Sequence, residues 1–203
     1  MSDRGQSPLN RRIAQNSNSN ILEMYAAMGS PIKAFTTDKI LASSGVALTD
    51  NAIRYTAIYL PKDTTITGVA FFQKVQGAFT GDQTNGLALY TYSAGILVKI
   101  RETANDETIW ENTANTYVQV PFSTPAVLTK GLYYIAAIYN SSAGTAPQID
   151  MTAIGTPNAA QSAPLTSNSA FTAGQITGQN SFPSSQVASG VTLVSGVPWF
   201  ALY

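Results

Sequence analysis

The sequence contains no histidine and no cysteine. Their absence excludes a Ser-His-Asp or Cys-His nucleophile system, a thiolate or imidazole zinc site, and a disulfide framework. Charged residues make up only 11% of the 203 positions, under half of the ~25% usual in soluble domains. This composition argues against catalysis, and we expect neither an enzyme nor a bound cofactor.

The charge that is present is balanced. Eleven Lys and Arg residues stand against eleven Asp and Glu residues, so the formal net charge is zero. Such a balance argues against a protein that binds nucleic acid mainly through its phosphates. No apolar run reaches the roughly 18 residues of a transmembrane helix, and the first six residues do not resemble a signal peptide. We therefore predict neither nucleic-acid binding nor a membrane span.

The first 34 residues differ in composition from the rest. Residues 1–20 are rich in Asn and Gln and poor in apolar side chains, so we expect their order to require a partner. The remaining chain is apolar enough to form one core. The sequence thus predicts an attachment arm over residues 1–34 and a β-domain over residues 35–203. Three arginines of the arm are candidate contacts to a partner protein: Arg4, Arg11 and Arg12.

The arm ends in a stretch that favours a helix, residues 21–28. Asn20 is a suitable N-cap, and Gly29 a suitable stop. Four apolar side chains of this stretch recur at helical spacing and form one stripe: Ile21, Met24, Tyr25 and Met28. Two interpretations remain open, because the stripe could pack on its own domain or dock on another protein.

Residues 35–153 are typical of β-strands rather than helices. Candidate strands, rich in β-branched and aromatic residues and bounded by turn residues, are residues 53–60, 64–72, 87–92, 96–101, 117–122 and 132–139, with a last strand at 197–203. No helical pattern separates them, which favours an antiparallel sandwich or barrel over βαβ units. The fold class predicted is therefore all-β.

Two of these strands carry information about burial. In residues 96–101 the alternation places Ile96, Val98 and Ile100 towards a core, with Lys99 and Arg101 in water. The preceding residues 93–95 end in glycine and predict a hairpin whose glycine is left-handed. Residues 132–139 are apolar on both faces, which predicts a second sheet on one side and another cover on the other.

The C-terminal part has a feature of its own. Residues 151–203 contain no charged side chain, although apolar residues are spread through them. A disordered linker would not need those apolar residues. We favour an extended segment that lies against neighbouring subunits, where an unpaired charge would be costly to desolvate. The alternative is a segment packed within its own domain.

Several stretches together resemble a known group of proteins. They are residues 66–72, 86–95 and 119–125, with Trp110 between the last two, and residues 130–136. Their order over about residues 50–203 resembles the jelly-roll-like β-sandwich domains of tailed-phage virion proteins, which include head fibres, capsid decoration proteins and tail-fibre tips. The resemblance implies a homotrimer attached to the virion by a short N-terminal arm, and no particular ligand.

Carboxylates are the only acid–base groups available, and four occur close together: Glu102, Asp106, Glu107 and Glu111. Acidic residues between strands are also what a solvated loop contains, and we predict no catalytic residue. The oxygen-rich residues 82–85 and 105–107 could ligate calcium, but neither has the spacing of an EF-hand loop. We predict no metal site.

Most of the aromatic side chains fall inside strand patterns and are expected in the core. Trp110 lies between strands in the acidic loop and is our candidate for an exposed residue that stacks on a sugar.

Together with the N-terminal arm, the resemblance predicts a structural virion protein, a head fibre or capsid decoration. The alternative is a carbohydrate-binding or host-receptor-binding module of a tail fibre.

Overall fold

The computed structural model describes residues 22, 23, 27–39, 42, 44–153 and 170–203. Apart from the helical residues 22, 23 and 27, they form antiparallel β-strands with connecting turns and one 3₁₀ turn, Ala188–Gly190. No helix among them is both long and apolar enough to cross a bilayer. The strands are β1 (Ala34–Phe35), β2 (Ser44–Ala47), β3 (Ala52–Leu60), β4 (Thr64–Val75), β5 (Ala78–Gly81), β6 (Gly86–Ser93), β7 (Ile96–Glu102), β8 (Thr116–Leu128), β9 (Gly131–Tyr139), β10 (Ser141–Thr145), β11 (Gln148–Ala153), β12 (Ala173–Thr177), β13 (Ser185–Val187), β14 (Thr192–Leu193), β15 (Gly196–Pro198) and β16 (Phe200–Leu202). The all-β prediction is confirmed.

The strands form two seven-stranded sheets and a small ribbon. Sheet I has the order β1-β16-β4-β11-β15, with β8 paired to β4 and β2 paired to β11. Sheet II has the order β13-β7-β6-β9-β3-β12-β14, so β9 is its central strand. Strands β5 and β10 form the ribbon. Every seam is antiparallel, as the alternating sequence patterns predict.

The main core lies between the two sheets. From sheet II it takes alternate residues of β9, and from sheet I the inward side chains of β4, β8 and β16. The largest contributions from β4 and β16 are Phe71 and Phe200, both fully buried. The two sheets therefore pack as a sandwich around one apolar layer.

Strand β9 is covered on both faces, as its sequence predicts. Tyr133, Ile135, Ala137 and Tyr139 belong to the main core. The opposite side chains, Tyr134, Ala136 and Ile138, belong to a second core on the outer face of sheet II. The second core is closed by residues from the charge-free part of the same chain: Phe171, Phe182, Ala188 and Val191.

This cover corrects the prediction for the charge-free segment. The Tyr134 hydroxyl donates a hydrogen bond to the Phe171 carbonyl oxygen (2.8 Å) and accepts one from the Phe171 backbone N–H (2.9 Å). The Tyr90 hydroxyl donates to the Pro183 carbonyl oxygen at 2.8 Å. Within residues 170–203 the side chains of Phe171, Phe182, Val191, Trp199, Phe200 and Leu202 are thus buried by their own domain, and the expectation that neighbouring subunits bury these side chains is wrong. Val187 is the exception, because its side chain is exposed. Residues 154–169 lie outside the described part.

The hairpin between β6 and β7 agrees with the sequence in part. Gly95 is left-handed with φ 82°, as predicted, but Ala94 is left-handed too, and the loop has two residues rather than three. Ile100 packs on the main core, whereas Ile96 and Val98 are exposed, contrary to prediction. The pairing shifts register between Leu89 and Tyr90. Because of this bulge the strand does not keep one face inward, and Leu97 faces the second core.

The N-terminal segment is described from its helical end onwards. Leu22, Glu23 and Ala27 have helical backbone, and Gly29 is left-handed with φ 77°, as expected of a helix stop. Met28 is 74% exposed, so this residue of the predicted stripe does not pack on the sandwich. The other partner-binding candidates lie outside the described residues: Arg4, Arg11, Arg12, Ile21, Met24 and Tyr25.

Replacement of Phe171 by alanine should lower the free energy of unfolding by about 3 kcal/mol, because it opens a cavity in the second core. The matched control is Val187→Ala in the same charge-free segment, whose side chain is 55% exposed. The control should change stability by no more than about 0.5 kcal/mol. Urea unfolding followed by circular dichroism measures both, and equal effects would contradict the packing described above.

Alkaline pH should destabilise the fold. Burial raises the pKa of Tyr55 to about 12 and also raises the pKa of Tyr90 and Tyr134. An unfolded tyrosine ionises near pH 10, so the stabilisation is complete below about pH 10 and is lost as the pH rises through this value towards 12. Burial lowers the pKa of Arg54 to about 10. This shift alone would raise stability at alkaline pH, but it is one group against three tyrosines. Unfolding free energies at about pH 9 and pH 11 should show the decline, and Tyr90→Phe should make it shallower; a flat profile would contradict it.

Candidate functional site

The outer face of sheet I carries a small apolar cluster under the N-terminal segment. Its members are Ala42, Ala70, Trp199 and Ala201, with Ile32, Phe35, Phe72 and Tyr203 packed around them. They come from the sheet and from residues that precede the sandwich. The N-terminal segment is therefore part of the domain surface from about residue 30 onwards.

Backbone pairing fixes this segment in place. The Lys33 N–H donates to the Leu202 carbonyl oxygen at 2.7 Å, and Ala34 pairs with Leu202 in the sheet. The Thr36 hydroxyl donates to the Pro198 carbonyl oxygen (2.7 Å) and accepts from the Phe200 N–H (3.0 Å). Residues 33–36 are thus tied to the last strand of the sheet.

A cleft of about 360 Å³ lies between this segment and the sheet. Its floor is Ala70, which pairs with Gln119 on one side and Ala201 on the other. Ala70 carries only a methyl group, so the taller side chains around it leave an open depression. The described residues that line it are Ser30, Pro31, Ile32, Lys39, Ala70, Tyr117, Gln119 and Trp199.

Three aromatic rings form one wall of the cleft and its support. The Tyr117 and Trp199 rings lie 5.5 Å apart at 70°, and the Tyr117 and Phe72 rings lie 4.9 Å apart at 76°. These edge-to-face contacts hold the rings in fixed orientations. Tyr117 is nevertheless 61% exposed, so part of its ring is open to a ligand.

Trp199 contributes an unusual polar atom. The residue is only 3% exposed, and its indole N–H has no hydrogen-bond partner. Buried indole N–H groups ordinarily find an acceptor, because leaving such a donor unsatisfied costs free energy. The indole nitrogen itself is buried from solvent, so this unsatisfied donor lies inside the domain beside the cleft.

The charged groups beside the cleft neutralise each other. Lys39 Nζ lies 2.5 Å from Asp150 Oδ2 and 4.1 Å from the centre of the Phe72 ring. The Asp150 side chain is almost fully buried, whereas Lys39 keeps some contact with solvent. The pair ties the loop after β1 to strand β11 and neutralises Lys39, the charged residue among the described residues that line the cleft.

The structure contradicts the expectation that Trp110 is exposed. Its ring is fully buried in the main core, 5.0 Å from the ring of Phe71, and its indole N–H donates to the Ile138 carbonyl oxygen at 3.0 Å. The acidic neighbours suggested a solvated loop, but Ile109 and Trp110 turn inward together. Because the ring is buried, Trp110 is not available to stack on a sugar. The apolar neighbour Ile109 was the sequence feature that could have indicated this burial.

Hydrogen bonds within the domain engage three of the four acidic residues near Trp110. Glu102 pairs with Lys99 at 2.9 Å, and Asp106 accepts from the N–H and hydroxyl of Thr108 at 2.9 and 2.8 Å. These two contacts are local along the chain, whereas Glu111 accepts a hydrogen bond from the Phe79 backbone N–H at 3.4 Å. Among the described residues, no three His, Cys, Asp or Glu side chains are grouped so that they could hold one metal ion.

Comparison with known proteins adds no assignment. No model of a known protein family matches the sequence, and a search among curated proteins finds no match.

Loss of the buried carboxylate should destabilise the fold more than loss of an exposed one. Asp150→Ala leaves Lys39 without its partner against an apolar ring, and we expect the free energy of unfolding to fall by about 2–3 kcal/mol. The control is Glu102→Ala, which breaks an exposed pair and should cost less than about 0.5 kcal/mol. Chemical denaturation measures both variants, and similar losses would show that the Asp150 pair is not structural.

Proposed function

We propose that this protein is a non-enzymatic structural component of a bacteriophage particle, a head fibre or a capsid decoration protein. In this proposal the sandwich is jelly-roll-like and homotrimeric, and residues 1–34 attach it to the capsid or to another virion protein. The two-sheet antiparallel architecture supports the sandwich part of the proposal.

The observation that carries the proposal is the way the N-terminal segment is rooted. Residues 33–36 are hydrogen-bonded to the last strand, so the arm leaves the domain at one fixed point. The exposed Met28 lies just before that point. Such an arm can bind another surface without disturbing the sandwich core.

An exposed apolar patch supports self-association. Ile96 of β7 pairs with Val187 of β13, and Val98 is the next residue on the same side of β7. All three side chains are exposed at the edge of sheet II. Burying them between copies would be favourable, and three arms held together would bind a symmetric or repeated surface far more tightly than one.

A second candidate is a carbohydrate-binding or host-receptor-binding module of a tail fibre. Trp110 does not support it, because that ring is buried. The cleft beside Trp199 does support it, since an aromatic wall and free polar groups occur together there.

Attachment can be tested by removing the arm. We expect the full chain to co-sediment with virus particles purified from its biological source, and a variant lacking residues 1–27 to stay in the supernatant. The deletion ends before Ser30 and β1, so the variant should keep the thermal unfolding midpoint of the full chain.

The oligomeric state is measured separately, and light scattering should give the mass of three copies for both chains. Equal co-sedimentation of the two would contradict attachment through the arm, and a monomeric mass would contradict the trimer.

A further inference from the structure

We infer that the cleft between residues 30–32 and the outer face of sheet I binds a neutral saccharide of one or two rings. This deepens the second candidate function, the receptor-binding module, and it does not depend on attachment through the arm. The cleft volume of about 360 Å³ lies at the small end of the range for ligand pockets. A site of this size holds a short saccharide and excludes a long polymer, except where the polymer presents one end or one protruding unit.

The aromatic wall favours a sugar ring. Pyranose rings have an apolar face of C–H groups and an edge of hydroxyl groups, so they pack on aromatic faces while they form hydrogen bonds at the side. Tyr117 offers such a face at the cleft mouth, and its ring is held by Phe72 and Trp199. A wall that is fixed before binding loses little conformational entropy when the ligand arrives.

The polar groups that line the cleft suit a ligand with hydroxyl groups, which can both donate and accept hydrogen bonds. Tyr117 lines the cleft with an exposed side chain whose hydroxyl can donate and accept. Gln119 lines the cleft with an exposed amide that both donates and accepts. Hydroxyl groups can serve as either partner, so neighbouring hydroxyls of one sugar ring suit this pair of residues.

The charge at the cleft selects a neutral ligand. Lys39 is the charged residue among the described lining residues, and its ammonium group is already paired with Asp150. A phosphate or carboxylate would have to compete with that buried carboxylate for Lys39, which would leave Asp150 unpaired. Acidic sugars and nucleotides should therefore bind more weakly than neutral sugars.

Binding can be measured on the full chain with a defined panel. The probes are glucose, galactose, mannose and N-acetylglucosamine, their neutral disaccharides, and sialic and glucuronic acid as charged comparators. Proton–nitrogen NMR provides an internal control, because the chain has two tryptophans and the Trp110 indole N–H is already bonded to Ile138. The variant Trp110→Phe identifies the two indole signals. A bound sugar should shift the Trp199 indole signal and leave the Trp110 signal in place.

Variants then locate the site. Tyr117→Ala should weaken binding about tenfold, the loss expected for one aromatic contact, and Ala70→Leu should abolish binding by filling the floor. Tyr59→Ala is the matched control, because Tyr59 is 54% exposed on sheet II, away from the cleft. It should bind like the wild type. Thermal unfolding of each variant shows that it is folded.

The outcomes separate this inference from the others. A neutral sugar that shifts the Trp199 signal and is lost with Tyr117→Ala, but not with Tyr59→Ala, supports it. Absence of any neutral-sugar binding, binding that Tyr117→Ala leaves unchanged, or tighter binding of the acidic sugars would overturn it. If the full chain co-sediments with particles but binds no neutral sugar, the structural role is supported and the saccharide site is contradicted.

Discussion

The fold depends on one strand that must be covered on both faces. Strand β9 is the centre of sheet II, and it carries apolar side chains on alternate residues towards each side. A single sheet on one side would leave Tyr134, Ala136 and Ile138 in water. The charge-free end of the chain supplies the second cover, and its lack of ionic side chains is what allows it to lie there.

The same chain end shapes the opposite side of the molecule. After the segment that covers sheet II, β15 and β16 enter sheet I and place Trp199 on its outer face. The N-terminal segment then pairs with β16 and closes over this face. The cleft is thus the space left where a segment from each end of the described chain meets Ala70 of the sheet.

Local pattern was enough to predict the long strands β3, β4, β6, β7, β8 and β9, because alternation and turn residues are local properties. It missed the short strands β1, β2, β5 and β10 to β14. It also predicted that residues 132–139 are covered twice, but the cover itself is Phe171 and its neighbours, and no periodicity reports a contact over such a distance. The bulge in β7 defeated the alternation at Ile96 and Val98, because the register shift depends on pairing with β6. Trp110 was misplaced because charge in a loop does not report which way a neighbouring ring turns. The cleft joins Ser30, Ala70, Tyr117 and Trp199 from separate segments, so only the folded chain reveals it.

Hydrogen–deuterium exchange over a dilution series tests most directly which surface buries residues 170–203. If these residues are covered by their own domain, the backbone amides of β12 and β16 should exchange slowly and at the same rate at every protein concentration. If sister copies supply the cover, protection of these amides would fall as the protein is diluted below the dissociation constant of the oligomer. Concentration-independent protection is the result predicted here, and protection lost on dilution would contradict it.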